Sequence, residues 1–377
     1  MKIITILGTR PEIIRLSLTM KLLDKYVEHR IIHTGQNYDY ELNEVFFKDL
    51  ELRKPDYFLN VNTESLGNTY GETLIKSEEI LIKEKPDAVL ILGDTNSSIA
   101  SIIVKRLQIP IYHVEAGNRS FDQNIPEEIN RKIIDHIADF NIVYTERSRQ
   151  HLIAEGLPHR KIYLCGSPIN EIVNKYKEQI IKSEILNKLN INSKDYFLAS
   201  IHRQENVDSK NNLRTILETL NAVANKYDRK IIVSTHPRTK TRLASLNSVH
   251  IDKRVNFLKP FGFFDYLNLQ KNALSVISDS GTISEEASIL NFPAITIRNS
   301  MERPEALDSG SIILTGLERE VVLKSIDVIL DQHVKEFANF VPIEYQVPNT
   351  SWRILKLILG TTKLSNNWSG IEQLKNY

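Results

Sequence analysis

The feature that most constrains this chain is the alternation between short runs of β-branched residues and longer segments with helical periodicity. Repeated β-α units of this kind predict parallel sheets with right-handed crossovers. The predicted strands form two series along the chain. They are Ile3–Leu7, Arg30–Thr34, Ala88–Leu92, Ile111–Val114, Asn141–Tyr144 and Lys161–Cys165 in the first series, and Phe197–Ile201, Lys230–Thr235, Val255–Leu258, Ser275–Ser278 and Ala294–Ile297 in the second.

Two domains follow from this pattern and from the length of 377 residues. A polar segment with a helical pattern and no strand pattern, Pro168–Asp195, separates the two series. We predict an α/β fold with two doubly wound, Rossmann-like domains that face each other across a cleft. The predicted ranges are 1–170 for the N-terminal domain with the candidate carboxylates, 171–355 for the C-terminal domain, and 356–377 for a helix and tail that return to the N-terminal domain.

The composition excludes several classes of protein. The 48 basic and 47 acidic residues leave a net charge of +1, so no basic field favours general nucleic-acid binding. The first residues lack the pattern of a signal peptide, and no apolar run approaches the roughly 18–20 residues of a membrane span. The one cysteine, Cys165, fits a reducing compartment. Cys and His clusters with metal-site spacing are absent. We expect a cytoplasmic protein with no metal, nucleic-acid partner or membrane partner.

A first candidate motif, Gly8-Thr9-Arg10-Pro11-Glu12, directly follows the first predicted strand. Gly8 permits a tight turn, and Pro11 suits the first turn of a helix. Arg10 is then held at a helix N-terminus, where anions bind favourably. A plain strand-to-helix turn with a solvated arginine explains the same residues equally well.

A second candidate motif, Ser278–Glu286, follows the predicted strand at Ser275 and opens a helix. Ser280, Gly281 and Thr282 offer backbone N–H groups and hydroxyls that suit a diphosphate. The competing explanation is a helix cap, because Thr282 and Glu285 have capping-box spacing. A cap does not need Gly281, so phosphate binding is favoured. No G-x-G-x-x-G motif is present, and we therefore predict no dinucleotide cofactor.

Three acids form a candidate proton-transfer set in the first domain. Asp94 and Glu115 end predicted strands, and Glu127 opens a predicted helix. In that helix Ile129, Ile133, Ile134 and Ile137 are predicted to be buried, which turns Glu128 and Asp135 towards water. Glu127, paired with Arg131 four residues later, is then favoured over Glu128 for a site. Any one acid at a strand end is more often a cap, but three in one domain favour a site.

Two histidines follow strands of the second series, His202 in Ser200–Asn206 and His236 in Ser234–Pro237. Histidine is suited to proton transfer and to holding a phosphate. A single histidine at such a place is usually a surface residue. Two in equivalent positions favour a functional role modestly.

These motifs together resemble the non-hydrolysing UDP-N-acetylglucosamine 2-epimerase family. The matching pieces occur in the family's order and span most of the chain. They are GTRPE at Gly8, GQ at Gly35, GDT at Gly93, HVEAG at His113, PEE-x-NR at Pro126, H-R-x-E-N at His202, HP at His236, DSG-x-x-x-EE at Asp279 and ERPEA at Glu302.

The resemblance implies a fold similar to the GT-B glycosyltransferases, with a UDP-sugar bound between the domains, no cofactor and a homodimer. It assigns catalysis to Asp94, Glu115, Glu127 and His202. It assigns substrate binding to Arg10, Arg15, Arg131, His236, Ser280, Gly281, Thr282, Glu286 and Arg303.

The family reaction explains the need for several acids. The proton on carbon 2 of the sugar is not acidified by a neighbouring ketone, so its direct removal is very slow. The family is understood to break the bond between the anomeric carbon and UDP first, which gives a 2-acetamidoglycal and retained UDP. Proton transfer on opposite faces of the sugar needs two groups. Asp94, Glu115 and Glu127 are the pool, and the sequence does not assign a face to any of them.

Several positions depart from the parent pattern and resemble a subgroup instead. That subgroup converts UDP-2-acetamido-2,6-dideoxy-L-talose to UDP-N-acetyl-L-fucosamine for capsule or O-antigen, and we predict this activity. The alternative is a UDP-N-acetylglucosamine 2-epimerase that gives UDP-N-acetylmannosamine. The departures are Arg15 for Lys, Asn37 for His, Asn118-Arg119-Ser120 for Leu-Arg-Thr, and Thr282 for Gly.

Other functions remain open on the residues alone. A UDP-sugar glycosyltransferase needs an acceptor site, a nucleotide-sugar sensor does not need three acids, and a hydrolysing epimerase frees the sugar. Many parent enzymes are activated by UDP-N-acetylglucosamine bound through a Gln-His-x-Gln run and an arginine. Here that run reads Gln36–Asp39, and Gly71 stands where the arginine falls. We therefore expect no such activation.

Overall fold

The computed structural model describes residues 1–35, 40–244, 246, 249–334 and 341–371, without the side chains of residues 40–44, 333 and 334. The chain forms two compact units, one from Met1–Asn174 with Val347–Tyr377 and the other from Lys175–Gln346. The functions assigned above to the ranges 1–170, 171–355 and 356–377 stay a prediction.

The first unit is built on a parallel sheet of seven strands in the order β3-β2-β1-β4-β5-β6-β7. The central strand β1 (Lys2–Leu7) is buried on both faces, as expected for a sheet covered by helices on each side. The other strands are β2 (Glu28–His33), β3 (Tyr57–Phe58), β4 (Ala88–Leu92), β5 (Ile111–Val114), β6 (Phe140–Val143) and β7 (Ile162–Leu164). The helices are α1 (Arg10–Tyr26), α2 (Tyr40–Asp49), α3 (Leu66–Glu84), α4 (Ser101–Arg106), α5 (Pro126–Ile137), α6 (Glu146–Ala154) and α7 (Pro168–Lys175), with 3₁₀ turns at Asn96–Ala100 and His159–Lys161.

The second unit has a parallel sheet of six strands in the order β10-β9-β8-β11-β12-β13. The strands are β8 (Tyr196–Ser200), β9 (Lys230–Ser234), β10 (Val255–Leu258), β11 (Ser275–Ser278), β12 (Ala294–Thr296) and β13 (Ile312–Leu314). The helices are α8 (Lys177–Ile181), α9 (Ile185–Leu189), α10 (Gln204–Val207), α11 (Lys210–Tyr227), α12 (Pro237–Ala244), α13 (Phe263–Asn272), α14 (Ile283–Leu290), α15 (Glu305–Asp308) and α16 (Arg319–Val334), with a 3₁₀ turn at Ile343–Gln346. Apolar clusters cover both faces of this sheet.

The predicted fold class is confirmed, since both sheets are parallel and wound from β-α units. Each of the eleven predicted strands coincides with an observed one to within two residues at either end. The prediction missed β3 and β13, which have two and three residues and lie at the edges of their sheets. Edge strands this short carry too few residues for a recognisable pattern.

The C-terminal helix α17 (Thr350–Trp368) packs against α1 in the first unit. The Tyr112 hydroxyl lies 2.6 Å from the Thr361 hydroxyl and anchors the helix to β5. Between the two series of strands, the chain folds into the short helices α7, α8 and α9. In the described part of the chain, no helix has the length and apolar character needed to cross a membrane.

Candidate active site

Two of the predicted catalytic acids follow adjacent strands of the first sheet. Leu92 pairs with Val114 at the ends of β4 and β5, and Asp94 and Glu115 come directly after them. The backbone turns sharply at both places, with φ of 72° at Gly93 and 69° at Glu115. A left-handed conformation is uncommon for a glutamate, so the surrounding structure must hold it. The two carboxylates therefore lie at the same carboxyl edge of the sheet.

Asp94 is paired with an arginine of α5. The Oδ2 atom of Asp94 lies 2.9 Å from Nε and 2.8 Å from Nη2 of Arg131. The neighbouring Asn130 donates a hydrogen bond of 3.0 Å to the backbone carbonyl of Asp94. Helix α5 thus fixes both the backbone and the side chain of Asp94, and the substrate-binding role of Arg131 stays a prediction.

Glu115 faces a buried arginine of α1. The Nε atom of Arg15 lies 3.4 Å from Oε2 of Glu115, and the Arg15 guanidinium lies 5.5 Å from the ring centroid of Tyr144. The Arg15 side chain is only 1% exposed. Arg15 was predicted to bind substrate, and the structure places it behind Glu115 as a counter-charge.

The predicted orientation of α5 is wrong. The isoleucine pattern turned Glu128 and Asp135 towards water, but both are 0% exposed, whereas Ile129 is 56% exposed. Glu127 is half-buried. The argument that favoured Glu127 over Glu128 from the helix face therefore fails, and Glu127 stays a candidate on the motif resemblance alone.

A set of ion pairs explains why α5 buries charge. Glu128 accepts hydrogen bonds from Arg131 Nη1 at 2.8 Å and from the Ser120 hydroxyl at 2.9 Å. Asp135 Oδ2 lies 2.7 Å from Arg119 Nη1, and its Oδ1 lies 2.9 Å from His113 Nδ1. Buried charges are tolerated when they are paired in this way. Glu128, Asp135 and Arg119 had no assigned role in the sequence analysis, because the apolar pattern turned Glu128 and Asp135 towards water and did not indicate these ion pairs.

The turn that carries Arg10 is organised by Glu12. Helix α1 begins at Arg10, whose guanidinium lies 5.8 Å from the ring centroid of Phe46. The Glu12 carboxylate is 1% exposed and accepts hydrogen bonds from the backbone N–H groups of Gly8 and Thr9 and from the hydroxyls of Thr95 and Ser97. Burial raises the pKa of Glu12 to about 7, although these hydrogen bonds lower it. Glu12 thereby ties the Arg10 turn to the residue after Asp94.

In the second unit, a buried aspartate holds the His202 loop. The Asp279 carboxylate is 0% exposed and accepts hydrogen bonds from the backbone N–H groups of His202 and Arg203, both at 3.0 Å. The same carboxylate accepts a hydrogen bond of 3.1 Å from the side-chain amide of Asn206. The Nδ1 atom of His202 lies 3.4 Å from Oδ1 of Asp279, and the His202 side chain is 38% exposed. The His202 and Ser280 motifs, which are 78 positions apart, therefore share one edge.

The Ser280–Thr282 loop lies at the end of β11, before α14. The hydroxyls of Ser280 and Thr282 lie 3.0 Å apart. The Thr282 side chain makes no capping hydrogen bond to α14. Glu285, the other half of the proposed capping box, is buried with Oε2 3.7 Å from Nε of Arg303. The capping-box alternative is therefore wrong.

Gly281 has charged groups close to its backbone. A Cβ atom at this position would lie 2.3 Å from Glu302 Oε1, 3.0 Å from Arg303 Nη1 and 3.2 Å from Arg203 Nη2. Glu302 is held in turn by Arg203 at 3.0 Å and by Arg298 at 2.8 Å. Only glycine fits here, and the predicted residues Gly281 and Arg303 are in contact distance.

The remaining predicted residues of the second unit are Glu286, on α14, and His236, which follows β9. Glu286 is 8% exposed and accepts a hydrogen bond of 2.6 Å from the Gln270 amide. His236 follows β9 and is half-buried. Its Nδ1 accepts a hydrogen bond of 3.3 Å from the backbone N–H of Arg238. The Gln36–Asp39 run lies outside the described residues. Among the described residues, no group of three or more His, Cys, Asp and Glu side chains could hold a metal ion.

The fold and the two edges define a class. Acids paired with buried arginines at one sheet edge, and a glycine loop with hydroxyls and guanidinium groups at the other, are suited to acid-base chemistry on a phosphorylated ligand. A family model described as UDP-N-acetylglucosamine 2-epimerase matches residues 21–359. The chain belongs to this family, and the predicted enzyme class, an isomerase, is confirmed.

Individual relatives agree with this assignment. A UDP-N-acetylglucosamine 2-epimerase of Methanocaldococcus jannaschii is 40% identical over 88% of this chain and 93% of its own length. A UDP-2,3-diacetamido-2,3-dideoxy-D-glucuronate 2-epimerase of Pseudomonas aeruginosa is 32% identical over 89% and 94%.

Solved structures match almost the whole chain. A UDP-N-acetylglucosamine 2-epimerase from Rickettsia bellii is 46% identical with a TM-score of 0.90 over 97% of this chain and 98% of its own. The M. jannaschii enzyme in complex with UDP-GlcNAc and UDP is 38% identical with a TM-score of 0.89 over 95% and 99%.

Proposed function

We propose that this protein interconverts UDP-N-acetylglucosamine and UDP-N-acetylmannosamine, without net hydrolysis, by elimination and re-addition of UDP. The proposal is carried by two observations: Asp94 and Glu115 lie at the carboxyl edge of one sheet, and a loop suited to a diphosphate lies at the carboxyl edge of the other sheet. The names of the relatives support this sugar, which the sequence analysis held as the alternative.

The diphosphate is assigned to the second unit. Backbone N–H groups and hydroxyls of Ser280, Gly281 and Thr282 at the start of α14 favour an anion, and Arg303 adds positive charge beside them. Glu286 has the chemistry to accept hydrogen bonds from ribose hydroxyls. Arg10 and His236 complete the proposed nucleotide-binding set on the evidence of their motifs.

The proposed reaction balances as follows. The bond between carbon 1 and the UDP oxygen breaks, and the electron pair leaves with UDP. Carbon 2 then loses its proton to a carboxylate, which gives the 2-acetamidoglycal. A protonated group on the opposite face returns a proton to carbon 2, while the UDP oxygen attacks carbon 1 again. Asp94, Glu115, Glu127 and His202 are the proposed proton-transfer set, and the loop charges stabilise the departing diphosphate.

A second candidate substrate is UDP-2-acetamido-2,6-dideoxy-L-talose, in a capsule or O-antigen pathway. The observation that favours it is the run Asn118-Arg119-Ser120 after the HVEAG motif, together with Thr282. The relatives above do not carry names from the fucosamine pathway, so this candidate ranks second. The P. aeruginosa relative indicates that the sugar varies among proteins about one-third identical to this one.

Incubation of each UDP-sugar with the protein in heavy water, followed by NMR, tests the proposal. We expect UDP-N-acetylmannosamine with deuterium at carbon 2 and little net free UDP. Stoichiometric release of UDP and free sugar contradicts a non-hydrolysing enzyme. Turnover of the deoxytalose substrate alone selects the second candidate. A homodimer and a cytoplasmic location stay predictions, and light scattering in solution tests the former.

A further inference from the structure

A buried glutamate on α5 is connected to Asp94 through Arg131. Arg131 Nη1 donates a hydrogen bond of 2.8 Å to Glu128 Oε2. The Nε and Nη2 atoms of the same guanidinium lie 2.9 Å and 2.8 Å from Asp94 Oδ2. One planar guanidinium therefore bridges two carboxylates. Arg131 and Glu128 are one turn apart on α5, whereas Asp94 follows a different element, β4.

The exposed fraction of the side chains increases from Glu128 through Arg131 to Asp94. The side chain of Glu128 is 0% exposed, that of Arg131 is 4% exposed and that of Asp94 is 18% exposed. Ser120 also holds Glu128 in place. Its backbone N–H and its hydroxyl donate hydrogen bonds of 3.1 Å and 2.9 Å to Oε2, the oxygen that also binds Arg131. Glu128 is the anchored end, and Asp94 is the end that reaches the edge of the site.

The geometry explains what an anchor achieves here. An arginine side chain has several rotatable bonds, and the position of its guanidinium is not set by the helix alone. With Nη1 bound to Glu128, the opposite edge of the group is presented to Asp94 in a fixed plane. Both contacts engage Oδ2 of Asp94 and fix the position of that oxygen.

We propose that Glu128 is a positioning residue that orients Asp94 for proton transfer by holding Arg131 in place. The proposal rests on the proposed function, in which Asp94 acts on the substrate. Glu128 itself touches no substrate in this scheme.

The test compares five variants with the wild type, one of which, Asp94→Asn alone, is the background for the double variant. Glu128→Met removes the acceptor at similar size, and Glu128→Gln keeps one acceptor oxygen. Lys132→Met is the matched control, because the Lys132 ammonium lies 3.9 Å from the other Glu128 oxygen and its side chain is 41% exposed. The double variant Glu128→Met with Asp94→Asn measures the coupling between the two sites.

For epimerisation, we expect Glu128→Met to lower kcat by roughly 10- to 100-fold, as misplacement of a reacting group does. KM for the UDP-sugar and Kd for UDP should stay close to the wild-type values. Glu128→Gln should recover most of the loss, and Lys132→Met should leave kcat unchanged. In the Asp94→Asn background, Glu128→Met should have little further effect.

A spectroscopic measurement separates this inference from the proposed function. We expect a slowly exchanging Nε–H signal of Arg131 by ¹⁵N NMR in the wild type and in Lys132→Met, and its loss in Glu128→Met. This signal needs no substrate, so it is informative even if the protein epimerises neither UDP-sugar. A wild-type signal in Glu128→Met, wild-type kcat in that variant, or a full multiplicative loss in the double variant overturns the inference. If Glu128→Met does not fold, Glu128→Asp, which withdraws the carboxylate by one methylene, replaces it with the same expectations.

Discussion

The carboxyl edges of the two sheets carry charge in different ways. At the first edge, Asp94 and Glu115 are each paired with a buried arginine, so the carboxylates are the groups nearest the site. At the second edge the buried acid Asp279 is used inside the protein, where it accepts backbone N–H groups of the His202 loop. The outward groups there are loop hydroxyls and an imidazole. We therefore expect the same strand topology to serve proton transfer in one unit and anion binding in the other.

The two edges differ in which member of each acid–arginine pair is expected to face the ligand. At the first edge each acid has a buried arginine beside it, which offsets part of the loss of water around the carboxylate. Around Gly281 the acid and the arginines exchange these places in part. There a buried acid, Glu302, is the compensating charge and lies among Arg203, Arg298 and Arg303. Four predictions test this contrast, from the largest expected effect to the smallest.

The largest effect is expected at the acids of the first edge. Asp94→Asn, Glu115→Gln and Glu127→Gln should each lower kcat by roughly 10²- to 10⁴-fold, which is typical for loss of a positioned acid or base. Kd for UDP should change little, because the diphosphate is assigned to the Ser280–Thr282 loop of the second unit and not to these acids. Kinetics of epimerisation and calorimetric titration with UDP measure the two quantities. Loss of UDP binding with normal kcat would reverse the roles assigned to the two edges.

The next effect concerns the stability of the first unit. Arg119 is 2% exposed and pairs with Asp135 at 2.7 Å and with Glu155 at 2.6 Å. Arg119→Met leaves Asp135 buried without this counter-charge, and we expect a loss of about 3–5 kcal/mol in the free energy of unfolding. Both tryptophans of the chain, Trp352 and Trp368, lie on α17 in this unit, so their fluorescence in urea reports its unfolding.

The control for this prediction is a surface ion pair of the same unit. Arg149 Nη1 lies 3.1 Å from Glu146 Oε2, with side chains 30% and 46% exposed. Arg149→Met should cost less than about 1 kcal/mol, because such pairs are screened by solvent. Equal losses in the two variants would mean that the buried network adds no stability beyond an ordinary ion pair.

A smaller effect is expected at the second edge. Gly281→Ala places a methyl group 2.3 Å from a Glu302 oxygen, and that carboxylate is held by two arginines and cannot move away freely. We expect Kd for UDP to rise by about tenfold, which corresponds to about 1.4 kcal/mol. Gly360→Ala is the control, because no heavy atom lies within 4 Å of its Cβ position. Unchanged UDP affinity in Gly281→Ala would separate this loop from the nucleotide.

The sequence predicted the residues at strand ends well because a parallel sheet brings all its carboxyl ends to one edge. Asp94, Glu115 and Ser280 could be placed from the strand pattern alone, and their chemistry from residue type. The roles of the acids in catalysis stay predictions.

The face of α5 could not be predicted from its own residues. Four isoleucines at helical spacing dominate the apolar pattern of α5, but the helix buries Glu128 and Asp135 because Arg131 and Arg119 neutralise them. Arg119 precedes the helix, and its other partner, Glu155, lies 36 positions further along the chain. A periodicity argument counts apolar residues and has no means of detecting such partners.

The smallest effect is a pH dependence at the first edge, caused by Glu12. Burial raises the pKa of this carboxyl group from 4.5 to about 7, against the hydrogen bonds that lower it. Because the folded protein holds the proton more tightly than the unfolded chain, the resulting stabilisation is fully present below about pH 4.5 and is lost as the pH rises through 7. Between pH 6 and pH 7 the loss should be about 1 kcal/mol. In Glu12→Gln the group cannot titrate, so the difference in free energy of unfolding between wild type and variant, measured by tryptophan fluorescence in urea, should change by that amount between pH 6 and pH 7. Parallel pH curves for the two proteins would show that Glu12 is ionised throughout this range, and that its N–H and hydroxyl donors outweigh its burial.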